Sequence, residues 1–214
     1  MKRRTASGQR IIAFASMLGI AALLASPVGA EDASSKPPSH RFWAELDLGY
    51  GHVERSASSQ TLSDDSFALD FMAGLSVSPG VKVGLDLGGY NLQSTCASTP
   101  SHLCTPSESE RGKGLEHLFI VADFRPAVND GWLLHGALGA SGYWAQSVSQ
   151  YYNRANSYGW GGEIGVGYTW RAGSATHAGV RVGYEFGHLS GNESAGVPAF
   201  DYSALKMTFA LAYY

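Results

Sequence analysis

Charged residues in this chain keep to one side of a two-residue period, a constraint that extended strands satisfy and helices do not. Residues 42–50 put Phe42, Ala44, Leu46, Leu48 and Tyr50 on one parity, with Trp43, Glu45, Asp47 and Gly49 on the other. Residues 67–77 put Phe67, Leu69, Phe71, Ala73, Leu75 and Val77 against Asp70 and Gly74. The same alternation recurs over 81–90, 117–125, 160–171, 178–187 and the last segment, 205–213; 132–144 alternates more weakly, with both parities fairly apolar. Every charge inside these segments falls on the parity opposite the apolar one: Glu45, Asp47, Asp70, Lys82, Asp86, Asp123, Arg125, Glu163, Arg171, Arg181, Glu185 and Lys206. An Arg or Lys facing lipid at mid-depth costs roughly 2–4 kcal/mol, so a membrane-facing strand keeps that parity clear. A soluble sandwich also alternates, with its charges in water and its apolar faces packed together.

Two further features separate these arrangements. The charged parity is rich in Gly and small residues, as in a crowded lumen. The segment ends carry aromatic residues: Tyr50, Trp132, Trp144, Trp160, Tyr168, Trp170 and Tyr213. Trp and Tyr favour membrane–water interfaces, and Trp160 and Trp170 bracket one segment at the 9–11 residues a tilted spanning strand needs. Connection lengths also alternate. Short turns are expected at 78–80, 126–131 and 172–177, and long loops at 53–66, 92–115, 146–158 and 188–200. Short turns on one side and long loops on the other are the habit of outer-membrane barrels. The expected fold is all-β: a transmembrane, antiparallel, up-and-down barrel of about eight strands.

The first thirty residues read as an address. Lys2, Arg3, Arg4 and Arg10 precede an apolar run over 11–25, and Val28-Gly29-Ala30 offers a cleavage site before Glu31. Cleavage after Ala30 removes four basic residues and no acidic ones, leaving 11 basic against 18 acidic residues. Such a charge balance argues against nucleic acid as a partner, because phosphate binding needs a basic surface. No later stretch offers about 18 consecutive apolar residues, so no transmembrane helix is expected. Charged residues make up 15% of the chain, below the quarter usual in soluble domains. Three parts follow: a signal peptide over 1–30, a disordered periplasmic leader over 31–40, and a barrel over 41–214.

On these residues the chain resembles the small outer-membrane barrels of the OmpA and OmpX type, over nearly all of 41–214. Such barrels end on a final-strand signal of a polar residue, a Gly, and two hydrophobic positions, the last aromatic. Lys206, Thr208, Leu211 and Tyr213 occupy those places, with Thr208 where Gly is usual and Tyr214 one residue beyond. The resemblance implies residence in the outer membrane of a Gram-negative bacterium, with its lipid and lipopolysaccharide as surroundings. It also implies recognition of the last strand by the barrel-assembly machinery.

Cys96 and Cys104 lie in the longest expected outer loop, where an oxidising compartment favours a local disulfide. An eight-stranded barrel is filled by side chains, so the twelve inward charges, seven acidic and five basic, are expected to pair into a closed network. The leading functional expectation is a non-catalytic, monomeric barrel acting in membrane integrity or surface interaction through its loops. No cofactor or metal motif is visible. Two alternatives remain. His188 and Ser190 share a parity at the outer end of the seventh segment, and a His beside a Ser supports ester cleavage when an acid such as Asp201 or Glu193 orients the His. That arrangement is similar to the His-x-Ser of outer-membrane lipid A deacylases, which place Asn after the Ser where this chain has Gly191. A narrow diffusion channel is the other alternative, requiring a wider lumen.

Overall fold

The computed structural model describes residues 41–57, 60–78, 80–92, 113–126, 131–146, 154–193 and 197–213. Eight strands are formed by them: β1 (Arg41–Ala57), β2 (Gln60–Ser78), β3 (Val81–Leu92), β4 (Lys113–Phe124), β5 (Gly131–Gln146), β6 (Arg154–Arg171), β7 (Thr176–Ser190) and β8 (Phe200–Tyr213). Each pairs antiparallel with its neighbour in chain order, and β8 pairs back on β1 through Leu48↔Phe209 and its flanking residues. Closure joins the first strand to the last, so across the span shared by all eight strands the backbone pairs within the ladder where lipid supplies no partner. The weakly alternating fifth segment is a full strand, β5, held between β4 and β6.

The two parities become two walls. Leu46, Leu85, Ile120, Leu138, Ile164, Val182 and Phe209 face outward and are exposed, whereas Trp43, Glu45, Asp70, Lys82, Phe119, Glu163, Arg181 and Lys206 are buried inside. This is the inverse of a water-soluble protein. The outward apolar band covers about 42–50 of β1, 67–77 of β2, 160–170 of β6 and 205–213 of β8, lengths that match a tilted crossing of the hydrocarbon core.

One end carries the short connections, 79–80, 125–130 and 172–175. At the first of these Gly80 adopts φ +86°, a left-handed conformation that favours glycine. Its carbonyl accepts the Arg125 N–H at 2.7 Å, and a Cβ there would collide with the Arg125 carbonyl oxygen.

The other end differs from expectation. Residues 53–66 were expected as a long loop, yet β1 and β2 stay paired as far as Ala57↔Gln60, leaving 58–59 between them. Strand also extends over 113–115, 154–158 and 188–190, within stretches expected as loops. The reason is solvation. Beyond the apolar band the outward positions face water and turn polar (His52, Glu54, Ser56, Thr61, Ser63, Asp65), so the hydrophobic alternation fades while the ladder continues. Inward positions keep their parity: Val53, Arg55, Asp64 and Ser66 are buried. The signal peptide, the leader, Cys96, Cys104 and Tyr214 lie outside the described residues.

Candidate functional site

Closing the barrel brings together charges that lie far apart in sequence. Among the described residues, eight carboxylates and six Lys or Arg side chains are buried, with His117, His135 and His177. Eleven of the twelve expected lumen charges are in this set. Arg171 is the correction: it keeps the inward parity but ends β6 and is exposed. Position along the strand, not parity, takes it out of the lumen.

Near the short-turn end, Arg181 pairs with Glu45 and lies 3.3 Å from Asp47. Thr208 donates to Asp47 at 3.0 Å, and His135 meets Asp123 at 2.7 Å. The Arg125 guanidinium reaches Thr169 at 3.3 Å and Glu45 at 3.6 Å. Lys82 stands over the Trp43 ring, 5.3 Å from its centre, a cation–π distance. Midway along, Lys206 bridges Asp70 at 2.6 Å and Glu163 at 2.8 Å. Tyr90 and Tyr202 donate to Glu185 at 2.8 and 3.0 Å, and Ser141 meets the Tyr202 hydroxyl at 2.6 Å. Neutral donors thus share the solvation of buried carboxylates with the cations.

Toward the long-loop end the lumen changes character. Val53, Leu92, Leu115, Leu189, Val197 and Phe200 form an apolar plug with Tyr143 and Tyr202. Beside it Arg55 pairs with Asp64 and donates to the Tyr143 hydroxyl at 3.2 Å. Burial, with Arg55 nearby, holds the Lys113 ammonium down at about 8. Arg55, Asp64 and Lys113 were missed by the sequence reading, which stopped where the outward face ceased to be apolar. Extending the inward parity by a few residues would have found all three.

On the outer wall, Trp132 packs edge-on against its cross-strand neighbour Tyr168 at 5.7 Å, and Trp170 lies 6.4 Å from Phe209. These mark the short-turn border with Tyr213. Tyr50 and Trp160 mark the upper border with Tyr158, which was expected in a loop and is exposed. Trp144 sits higher on β5, its ring over Gly114.

Above that border the outward face of β8, β1 and β2 turns polar, and β7 contributes His188 beside the apolar Phe186. Register sets His188, Asp201, Ser56 and Thr61 in one row, then Phe186, Ser203, Glu54 and Ser63 in the next. A groove of about 300 Å³ lies here, with Trp160, Tyr184 and Phe186 on one side and Glu54, Asp201 and Ser203 on the other. His188 Nδ1 stands 2.7 Å from Asp201, so the acid expected for a hydrolytic triad is in contact with the His. Ser190 lies two residues further along the strand on the same face, and among the described residues no hydrogen bond joins it to His188. A second pair, His52 and Asp65 at 2.8 Å, repeats the geometry on β1 and β2. Each is a directly opposed cross-strand pair, so the His–Asp contact is a product of register at this rim.

No known family matches the sequence, and no curated protein matches it. Solved structures do match. Neisserial surface protein A aligns over 82% of this chain and 99% of its own, at 13% identity and a TM-score of 0.54. The attachment invasion locus protein of Yersinia pestis aligns over 80% and 98%, at 13% identity and a TM-score of 0.49. Eight strands closed in chain order, apolar without and ionic within, give this chain the fold of the small eight-stranded outer-membrane β-barrels.

Proposed function

We propose that this protein is an integral outer-membrane protein of a Gram-negative bacterium: a closed anchor that raises a polar rim and loops above the outer leaflet, acting in membrane integrity or surface interaction. The observation that supports this most is the contrast between the two ends of the wall. On β1 and β2 the apolar band stops and the ladder continues above it with polar, titratable side chains outward, while an apolar plug fills the lumen at that end. Its surroundings on this reading are outer-membrane lipid and lipopolysaccharide, and its last strand carries the address for the assembly machinery.

The reading makes a topological prediction. An epitope inserted at 58–59 is expected to be recognised by antibody on intact cells, and the same epitope at 79–80 only after the outer membrane is breached. The purified barrel in planar bilayers is expected to show no steady conductance, because plug and network fill the lumen. Antibody access at 79–80 on intact cells, or stable conductance steps, would sink the proposal.

The contact between His188 and Asp201 keeps one second reading open, an ester hydrolase acting on lipid A with Ser190 as nucleophile. With no hydrogen bond joining Ser190 to His188, lipid A from cells expressing the wild type and Ser190→Ala is expected to give identical mass spectra. Loss of an acyl chain in the wild type alone would establish the enzyme.

A further inference from the structure

Three donors on three adjacent strands converge inside the barrel. Asp70 on β2 and His117 on β4 flank Gly88 of β3 in register, and Asp86 lies two residues before Gly88 on the same inward parity. A Cβ at position 88 would run into Asp70 Oδ1 and stand 2.8 Å from His117 Nε2. Both atoms therefore point into a space that only glycine leaves open. Nε2 lies 3.5 Å from Asp70 Oδ1 and 3.3 Å from Asp86 Oδ2, longer than charge-assisted hydrogen bonds of about 2.7–2.9 Å. Asp70 Oδ1, Asp86 Oδ1 and His117 Nε2 make no hydrogen bond, although the three residues are only 1–2% exposed. One ligand atom from each lies within 4.8 Å of the others.

The far side of the ring fits the same picture. His117 Nδ1 faces Glu185 at 3.4 Å, and Glu185 is itself held by the Tyr90 and Tyr202 hydroxyls. Nδ1 makes no hydrogen bond at that distance; a proton on Nδ1, drawn toward Glu185 as carboxylates draw it behind metal-bound imidazoles, would leave the Nε2 lone pair free. Here the lone pair faces two carboxylates. Around this point Lys206 contacts Asp70 and Glu163, while Asp86 and Glu185 face His117. Buried charge of one sign is costly without a counter-charge, which a protonated His117 or a bound cation would supply.

We propose that Asp70, Asp86 and His117 form a binding site for a divalent transition-metal cation of the Zn²⁺ or Mn²⁺ kind. One imidazole with two carboxylates suits these ions, whereas Ca²⁺ and Mg²⁺ prefer oxygen alone. The ion would tie β2, β3 and β4 together within the membrane. A proton shared between His117 and the carboxylates is the rival occupant, and the test separates the two.

The untagged barrel is refolded in detergent with Zn²⁺, and in parallel with Mn²⁺. Unbound metal is removed by gel filtration, and the retained metal is counted by plasma mass spectrometry. About one ion per chain is expected for the wild type and for the control Asp64→Asn. At least tenfold less is expected for His117→Gln and Asp86→Asn, with folding checked by heat-dependent gel mobility. If those variants do not fold, X-ray absorption of the zinc-loaded wild type decides, with one nitrogen and carboxylate oxygens about the ion as the expected result. A folded wild type holding neither metal would overturn the proposal, as would retention unchanged in both site variants or coordination without imidazole.

Discussion

Replacing Arg181 with methionine is expected to lower the unfolding free energy by about 3–5 kcal/mol, the scale for breaking a buried pair from one side. Arg181 is 2% exposed and contacts Glu45, Asp47 and the sulfur of Met72. Methionine keeps much of the volume but leaves two carboxylates with reduced counter-charge in a closed lumen. Arg125 still reaches Glu45 at 3.6 Å and Thr208 still donates to Asp47, which limits the loss without removing it. The triple variant Arg181→Met, Glu45→Gln, Asp47→Asn neutralises both sides of the Arg181 contacts and is expected to recover part of the stability; Arg125 loses its contact with Glu45, which keeps the recovery incomplete. Equilibrium unfolding in urea from lipid vesicles, followed by tryptophan fluorescence, reads both variants. A single variant within about 1 kcal/mol of wild type would mean that water reaches the lumen and solvates the network, since exposed ion pairs are worth no more than that.

The second large effect belongs to the outer wall. Ile164 is central to the apolar stretch of β6, 61% exposed, between Gly136 and Tyr184 on the neighbouring strands. Ile164→Arg is expected to destabilise the barrel in bilayers by about 2–4 kcal/mol, the cost of a cation at the midplane. Ser63→Arg places the same charge outward on β2, above the band and opposite Glu54. There it is expected to change stability by less than about 1 kcal/mol, as for interfacial positions. The same unfolding measurement compares the two. Equal effects would place Ile164 in water and overturn the assignment of the wall to lipid.

These two predictions rest on different kinds of information. The identity of the outer wall was legible in the residues themselves. Successive side chains of a strand point to opposite faces whatever the strand pairs with, so Ile164 and Val166 on one parity and Glu163 on the other separate an apolar wall from a charged one, and the Gly on the charged parity and the aromatic ends assigned these to lumen and lipid. The same rule placed eleven of the twelve expected charges correctly and failed only at Arg171, where the strand ends. Helical or loop readings of these segments had no comparable support.

The upper rim was harder to read for a solvent reason. Hydrophobic alternation reports a strand only where one face meets lipid or a core. At His52, Glu54 and Ser56 the outward face meets water, so β1 and β2 looked like loop although their ladder continues to Ala57 and Gln60. The inward parity of Val53, Arg55 and Asp64 was the remaining signal, and a weaker one.

The side-chain pattern by itself determined the walls: eight alternating segments, charges turned inward, aromatic residues at the borders. Only the closed structure decided which charges meet. Lys206 reaches Asp70 and Arg181 reaches Glu45 across 136 positions of the chain, and Asp70, Asp86 and His117 come together around Gly88 through the register of three strands. Parity is a local property of the extended backbone. Register and closure are properties of the whole hydrogen-bonded ladder, and a shift of two residues in any one strand would keep every parity while changing every partner.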